Sequence, residues 1–263
     1  LILRANIGTG FRAPYGFSED LHLCSGSPRV WKSSNLKGER AISYNFSADY
    51  YGKWYQLSIN LFRTNLKDKI QFSPADDEVK KFGYSYQWEN VDDAYVQGVE
   101  LGAKASLFRN FTAGLNWTFN KGKFKHERAE WSDPNDPSVQ EFPQRLQYAK
   151  DSRYISRFPA MTGDIDLDYT PGTWSFSVTS SLQGKMYIDY NSDDDGKTSK
   201  IKKTNTFMIF NCRAAKRFGM CTVYAGAKNI FGYIQDEKHT DDAAFMYAPV
   251  YGATWYVGLS VKL

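Results

Sequence analysis

Three cysteines, three histidines and nine prolines are scattered through 263 residues. No Cys-x-x-Cys or His-x-x-x-His pairing occurs, so the sequence carries no ready-made metal or redox site. Gly-x-Ser-x-Gly, a phosphate loop and His-Glu-x-x-His are all missing, and so few histidines leave little for a triad. Neither an enzyme nor a cofactor is therefore expected. Charge of one sign is lacking too: 33 Lys and Arg oppose 29 Asp and Glu, a net +4 with no basic block. That pattern speaks against a nucleic-acid partner. Long apolar runs are absent. The longest uncharged stretch near the end, 243–261, contains Pro249, Gly252 and Gly258 and alternates, which excludes a membrane-spanning helix. The opening Leu1-Ile2-Leu3-Arg4-Ala5-Asn6 lacks the form of a signal peptide, as expected of a processed protein or a piece of a longer one.

Aromatic residues are plentiful instead, with 18 Phe, 18 Tyr and 7 Trp, and they argue against disorder. They recur at period two, the signature of strands. Ile42, Tyr44, Phe46, Ala48 and Tyr50 alternate with Ser43, Asn45, Ser47 and Asp49. Phe111, Ala113, Leu115, Trp117 and Phe119 take every odd position of another segment, and Trp255, Val257, Leu259 and Val261 do so near the end. Helical spacing does not compete. The spacing predicts about ten strands, near 1–10, 40–51, 55–73, 84–107, 110–125, 156–170, 174–189, 205–217, 220–230 and 251–263.

The connections alternate in length. Short ones fall at 52–54, 108–109, 171–173 and 218–219; long ones run over 11–39, 74–83, 126–155, 190–204 and 231–250. A soluble sandwich has no reason to gather its long loops at one end, whereas an outer-membrane barrel does so. The fold expected is all-β, an antiparallel transmembrane β-barrel, in the outer membrane of a bacterium and in contact with its lipid. With the C-terminus in the periplasm, every long connection falls outside. Asp164, Asp166 and Asp168 alternate with Ile165, Leu167 and Tyr169. Dry burial of three carboxylates would be costly, so they line a wet lumen or meet a plug while the apolar set faces lipid. Segment 84–107 exceeds the roughly 9–11 residues of a spanning strand and must project beyond the membrane. Its apolar phase switches at 90–94, where either a bulge or the membrane boundary permits the change. Two strands joined by a turn at Asp92-Asp93 is the other reading, but it breaks the alternation of loops.

Phe11-Arg12-Ala13-Pro14, after a strand ending Gly8-Thr9-Gly10, resembles a box of the TonB-dependent outer-membrane receptors. Asn35-Leu36-Lys37-Gly38-Glu39 is similar to that family's Asn-Leu-Lys-Pro-Glu, with Gly38 in place of proline. Asn90-Val91 followed by Gly98-Val99-Glu100, then Lys228-Asn229-Ile230-Phe231 and Tyr251-Gly252, resemble its later motifs in order. Leu263 departs from the aromatic that ends many such barrels. The resemblance implies a barrel of 22 strands around an N-terminal plug, of which residues 1–263 are the C-terminal part. It implies a receptor energised through TonB by a segment before this one, with the plug as partner and a siderophore, cobalamin, haem or glycan as solute.

The same resemblance makes Glu100 a lumen residue that either meets plug arginines or is a solvated carboxylate; Asp164, Asp166 and Asp168 share that face. His22 lies in the loop where haem receptors of the family carry a histidine, or is a surface residue. Asn191, Asp193 and Asp195 precede Gly196 at calcium-loop spacing, but position twelve is Lys202 where a bidentate Glu is needed, so an acidic hairpin tip is expected. If Arg217 pairs with Met220, Cys212 faces Ala225, roughly 13 Å from Cys221 along the strand, and free thiols are expected. A ligand site is expected at the outer strand ends. There Gln183, Lys185 and Tyr187 join Tyr15, His22, Arg29 and Trp31, a mixture of donors and platforms suited to an anionic or aromatic-bearing chelate. Two other classes compete: a self-contained ten-stranded pore or protease, and a soluble carbohydrate-binding β module.

Overall fold

A computed structural model of the chain describes residues 1–14, 30–32, 35–74, 77–84, 86–126, 153–155, 157–191, 199–235 and 246–262. The strands are β1 (Ile2–Arg12), β2 (Val30–Lys32), β3 (Glu39–Tyr51), β4 (Tyr55–Pro74), β5 (Tyr86–Phe108), β6 (Phe111–Phe124), β7 (Met161–Tyr169), β8 (Trp174–Gln183), β9 (Tyr187–Asn191), β10 (Ser199–Lys203), β11 (Phe207–Phe218), β12 (Cys221–Lys228) and β13 (Thr254–Val261). One short helix, α1 (Asp77–Lys80), sits between β4 and β5. The sheet runs β1-β3-β4-β5-β6-β7-β8-β11-β12-β13, antiparallel throughout, with β1 and β13 as open edges. Its short turns, 52–54, 109–110, 170–173 and 219–220, all fall at one end, and its long connections all fall at the other. No helix among the described residues is long and apolar enough to cross a membrane.

Strand register turns the period-two pattern into two continuous faces. Phe46 pairs with Leu61, Leu61 with Val99, and Val99 with Phe119. A lower row runs Ala113, Leu167, Val178, Cys212, Ala227, Trp255 across six strands. Trp255 is 76% and Val257 79% exposed, and Phe46, Leu61, Phe119, Leu167 and Val178 are exposed too, so apart from the covered Ala227 the apolar face lies largely bare. Lipid, not water, is the solvent for such a face. At the short-turn end it finishes in a chain of aromatic rings: Tyr50–Tyr55 at 5.6 Å, Phe108–Phe111 at 4.7 Å, Tyr169–Phe176 at 6.4 Å and Trp174–Phe176 at 5.6 Å. This is the girdle that marks a membrane interface. Along β6, Phe111 in that girdle and the first outward cation, Lys121, are ten residues apart. At ~3.4 Å per residue and ~40° of tilt, that spans roughly 26 Å, close to the height of a barrel's apolar band.

The opposite face is polar and cross-linked between strands. Ser43 and Thr64 hydroxyls meet at 2.8 Å, Asn60 donates to Glu100 at 2.9 Å and Asn116 to Asp164 at 2.8 Å. Two of its glycines seat a ring on the facing strand. A Cβ on Gly258 would lie 2.3 Å from Tyr224, and one on Gly226 would lie 2.4 Å from the Tyr256 hydroxyl.

Four details differ from the sequence reading. The segment 174–189 is interrupted: β8 stops at Gln183, and β9 resumes at Tyr187 in the same register, Tyr187 facing Lys203 as Gln183 faces Phe207. The link stays on the ladder: the Gly184 N–H donates to the Met161 carbonyl at 2.7 Å and the Thr204 N–H to the Met186 carbonyl at 2.9 Å. The last hairpin register also shifts. Phe218 faces Cys221 across Gly219-Met220, so Cys212 faces Ala227 rather than Ala225, still farther from Cys221. Strand 156–170 shortens to Met161–Tyr169, and 251–263 to Thr254–Val261. Finally, β2 was not expected; it pairs parallel with the outer part of β5.

Candidate functional site

At the long-loop end the sequence motifs come together in space. Arg12 pairs with Glu39 as β1 meets β3, and Gly38 packs beneath them, where a Cβ would sit 3.3 Å from the Arg12 carbonyl oxygen and 3.7 Å from Pro14. Asn90 closes the junction: its Nδ2 donates to the carbonyls of Lys37 at 3.0 Å and Asp68 at 2.7 Å, and its Oδ1 accepts the Lys37 N–H at 2.8 Å. Glu39 accepts the Ile70 N–H at 3.0 Å. The phase switch expected near 90–94 is a bulge: pairing shifts between Leu66 and Ile70, and Asp68 takes φ 53°. β5 nevertheless runs unbroken from Tyr86 to Phe108, so no turn falls at Asp92-Asp93.

Above this bulge, Asp92 is held by His126. The His126 main-chain N–H donates to Oδ2 at 2.7 Å and its ring Nδ1 lies 3.0 Å from Oδ1. Desolvation pushes the Asp92 carboxyl up, but the bonds from the His126 N–H and ring and from the Asp93 N–H outweigh it. They hold the carboxyl below the ordinary range.

The expected ligand residues divide into groups. Tyr15, His22 and Arg29 lie outside the described residues, as does most of the Asn191–Gly196 loop. Trp31 is half-buried on β2, stacked 6.3 Å from Phe82 and edge-on to Tyr84 at 5.1 Å. Gln183 ends β8, its Nε2 donating to the Tyr247 carbonyl at 3.3 Å. Lys185 is exposed in the link after Gly184, its carbonyl accepting the Ala160 N–H at 3.0 Å. Tyr187 is buried rather than open to the lumen, 5.1 Å from the Tyr154 ring and with Lys203 Nζ 5.1 Å from its own ring. It adjoins Met186, which forms a small core with Phe207 and Tyr247. Gln183, Lys185 and Tyr187 therefore cluster around one knot, and Trp31 belongs to another aromatic group on the far side of β7.

On the lumen face, Glu100 and Asp164 bond the neighbouring Asn side chains, and Asp166 pairs in register with Thr179. Asp168 lies in one row with Ser177 and Arg213. Among the described residues, no group of three His, Cys, Asp or Glu is placed to hold a metal.

Sequence reasoning missed how much the asparagines carry. Asn229 is buried at φ 52° and donates to the Tyr233 and Tyr251 carbonyls at 2.7 and 3.2 Å while accepting the Tyr233 N–H at 2.9 Å. The Asn229 N–H in turn donates to Asn211 at 3.0 Å. The motifs around Asn90 and Asn229 were the available signal; their role as main-chain clamps was not.

A lipid-facing belt, a polar lumen and loops gathered at one end define an outer-membrane barrel. Residues 1–230 match the family model for the TonB-dependent receptor-like β-barrel, and the chain belongs to that family. It is 27% identical over 204 residues to the vitamin B12 transporter BtuB of Photobacterium profundum, covering 76% of this chain and 27% of that protein. The fold matches the copper transporter OprC with a TM-score of 0.64 at 21% identity, over 98% of this chain and 37% of that one. It matches the siderophore receptor PirA from Acinetobacter baumannii with a TM-score of 0.66 at 14% identity, over 98% and 38%. The chain thus spans well under half the length of these relatives. Members of the family are receptors and transporters, and this chain is part of an outer-membrane barrel.

Proposed function

We propose that this chain is the C-terminal part of a barrel that captures a scarce, bulky solute at its long-loop end, with plug and TonB contact supplied by other parts of the protein. The observation that carries the reading is the asymmetry of the ends. Side chains with hydrogen-bond donors and aromatic faces gather where the long connections meet, above a lumen lined by Glu100, Asp164, Asp166 and Asp168. Similar proteins named for vitamin B12, copper and siderophores bound the solute class. The Trp31 platform and the exposed Lys185 suit an anionic chelate with aromatic character. The plug reading rests on the lumen carboxylates, which lie in reach of a guest inside the barrel. The test is a titration of the intact receptor with ferric catecholates, cobalamin, haem and copper. Trp31→Ala and Lys185→Ala should each weaken the solute that the wild type binds. Unchanged affinity in both variants would move the site to the plug.

A further inference from the structure

Over β11 and β12 the lipid face carries three rows, one above another. The row nearest the short turns reads Trp174, Lys216, Val223, Leu259; the next reads Phe176, Ala214, Ala225, Val257; the third reads Val178, Cys212, Ala227, Trp255. Above Lys216 and Val223 the two middle columns are small, while the outer columns stay large. The face therefore sinks into a groove of about 570 Å³, floored by Cys212, Ala214 and Ala225. Phe176 and Val178 wall it on one side, Trp255 and Val257 on the other. From Lys216 to Cys212 it runs four residues along β11, roughly 14 Å.

A cation sits at its short-turn end. The Lys216 Nζ lies 4.6 Å over the Trp174 ring and 5.1 Å over the Phe218 ring. Trp174 stacks on Phe176, a ring of the aromatic girdle, so the ammonium is held at the depth of the membrane interface. Neither ring offers an acceptor atom to its three N–H groups. Among the described residues, no carboxylate lies within ion-pair distance of it.

We propose that the groove holds one glycerophospholipid of the leaflet at the short-turn end, an acyl chain over Cys212, Ala214 and Ala225 and the headgroup phosphate on Lys216. A trough that opens into hydrocarbon takes a chain, and an unpaired ammonium at interface depth takes the phosphate that every such lipid carries there. A second copy of this chain fits worse. Seated groove to groove about a two-fold along the membrane normal, it would bring two Lys216 ammoniums to one level with no carboxylate to separate them. Assignment to the periplasmic leaflet rests on the orientation with long loops outside. Surface labelling of those loops reads that separately, and a reversed orientation would change the leaflet without emptying the groove.

The test uses the intact receptor in neutral detergent with phosphatidylethanolamine, phosphatidylglycerol, or diacylglycerol of the same chains. Cys212 and Cys221 are both free thiols on this face, and of the two only Cys212 lies in the groove. Alkylation of Cys212 by an apolar maleimide, read by peptide mapping, should slow several-fold with either phospholipid while Cys221 keeps its rate. Diacylglycerol should protect neither. One phospholipid per chain should survive in native mass spectra. Lys216→Gln should weaken its retention about five-fold, the effect of one cation at a headgroup surface. Ala214→Leu with Ala225→Leu should fill the groove and abolish retention, and Ala225→Leu alone is the milder variant should the pair fold poorly. Lys104→Gln, on the lumen face in register with Gly114, should change nothing. Equal protection of Cys221, equal retention of diacylglycerol, full retention by Lys216→Gln, or lipid-free protection of Cys212 that grows with receptor concentration, the mark of a second copy, would each overturn the proposal.

Discussion

An arginine placed on either face of β6 separates the lipid side from the lumen side within one residue. Leu115 lies four residues from the girdle at Phe111 and six from the cation at Lys121; Trp117 lies six and four. The two therefore straddle the middle of the band. Leu115 sits between Ala103 and Ile165, with only apolar neighbours to receive a charge. An arginine near the bilayer midplane of a barrel's lipid face costs ~2–4 kcal/mol. At ~1.36 kcal/mol per factor of ten, Leu115→Arg or Trp117→Arg should lower the folding constant by ~30- to ~900-fold. Asn116 points the other way, 2.8 Å from Asp164, where an arginine gains a carboxylate partner and stays in water. Asn116→Arg should cost well under ~1 kcal/mol, as for a solvated ion pair. The assay is urea unfolding of the intact receptor in lipid vesicles, read by tryptophan emission and by the gel mobility of the folded form. Comparable losses at 115 and 116 would refute the assignment of faces.

Other expectations follow from the ends of the sheet. Val257→Arg and Leu259→Arg on β13 should lose stability in the same assay while Gly258, between them, keeps its place under Tyr224. Cysteines introduced in 126–155 or 190–204 should react with a membrane-impermeant maleimide on intact cells, and one at 52–54 should not; the reverse pattern inverts the orientation. Asn229→Ala removes three buried hydrogen bonds and should cost about 2–4 kcal/mol locally, seen as faster exchange of the Tyr233 amide. Asn229→Gly should lose as much, and recovery by glycine would mean that only the φ of 52° mattered. Because the Asp92 carboxyl is held below its unfolded value, its bonds add stability that is complete above the unfolded carboxylate range. That stability disappears as pH falls through the folded value. A urea series from neutral to acid pH should show this loss in the wild type and a flatter profile in Asp92→Asn.

The barrel pattern was legible because lipid-facing strands must alternate strictly, and nothing inside a wet lumen disturbs that period. The long β5 was readable for the same reason, its phase switch at Asn90–Ala94 coinciding with register shifts against β4 that leave Val91 as an extra residue on β5. The break after Gln183 was not. Met186 and Ile188 keep the apolar phase of β8, and the register carries through the gap into β9, so no local pattern marks the interruption. The short β2 was hidden because three residues cannot establish a period. Among the ligand candidates, Gln183, Lys185 and Tyr187 are neighbours because they are close in the chain, but burial of Tyr187 depends on Phe207 and Tyr247 from distant connections.

Every strand of the main sheet pairs with the neighbour next to it along that path, and apart from the β9–β10 excursion and the small β2 those neighbours follow one another in the chain. Assembly can therefore proceed as a succession of hairpins, each adding one closed ladder with little loop entropy to overcome. The two outermost strands set the limit. Among the described residues, β1 and β13 each present an outer edge with no strand partner, and hydrocarbon cannot solvate main-chain donors and acceptors left there. Those rims must be met, by each other or by intervening strands, before the ladder enters the bilayer core, so insertion and closure are one event for this protein and a half-zipped sheet has no stable place in the membrane.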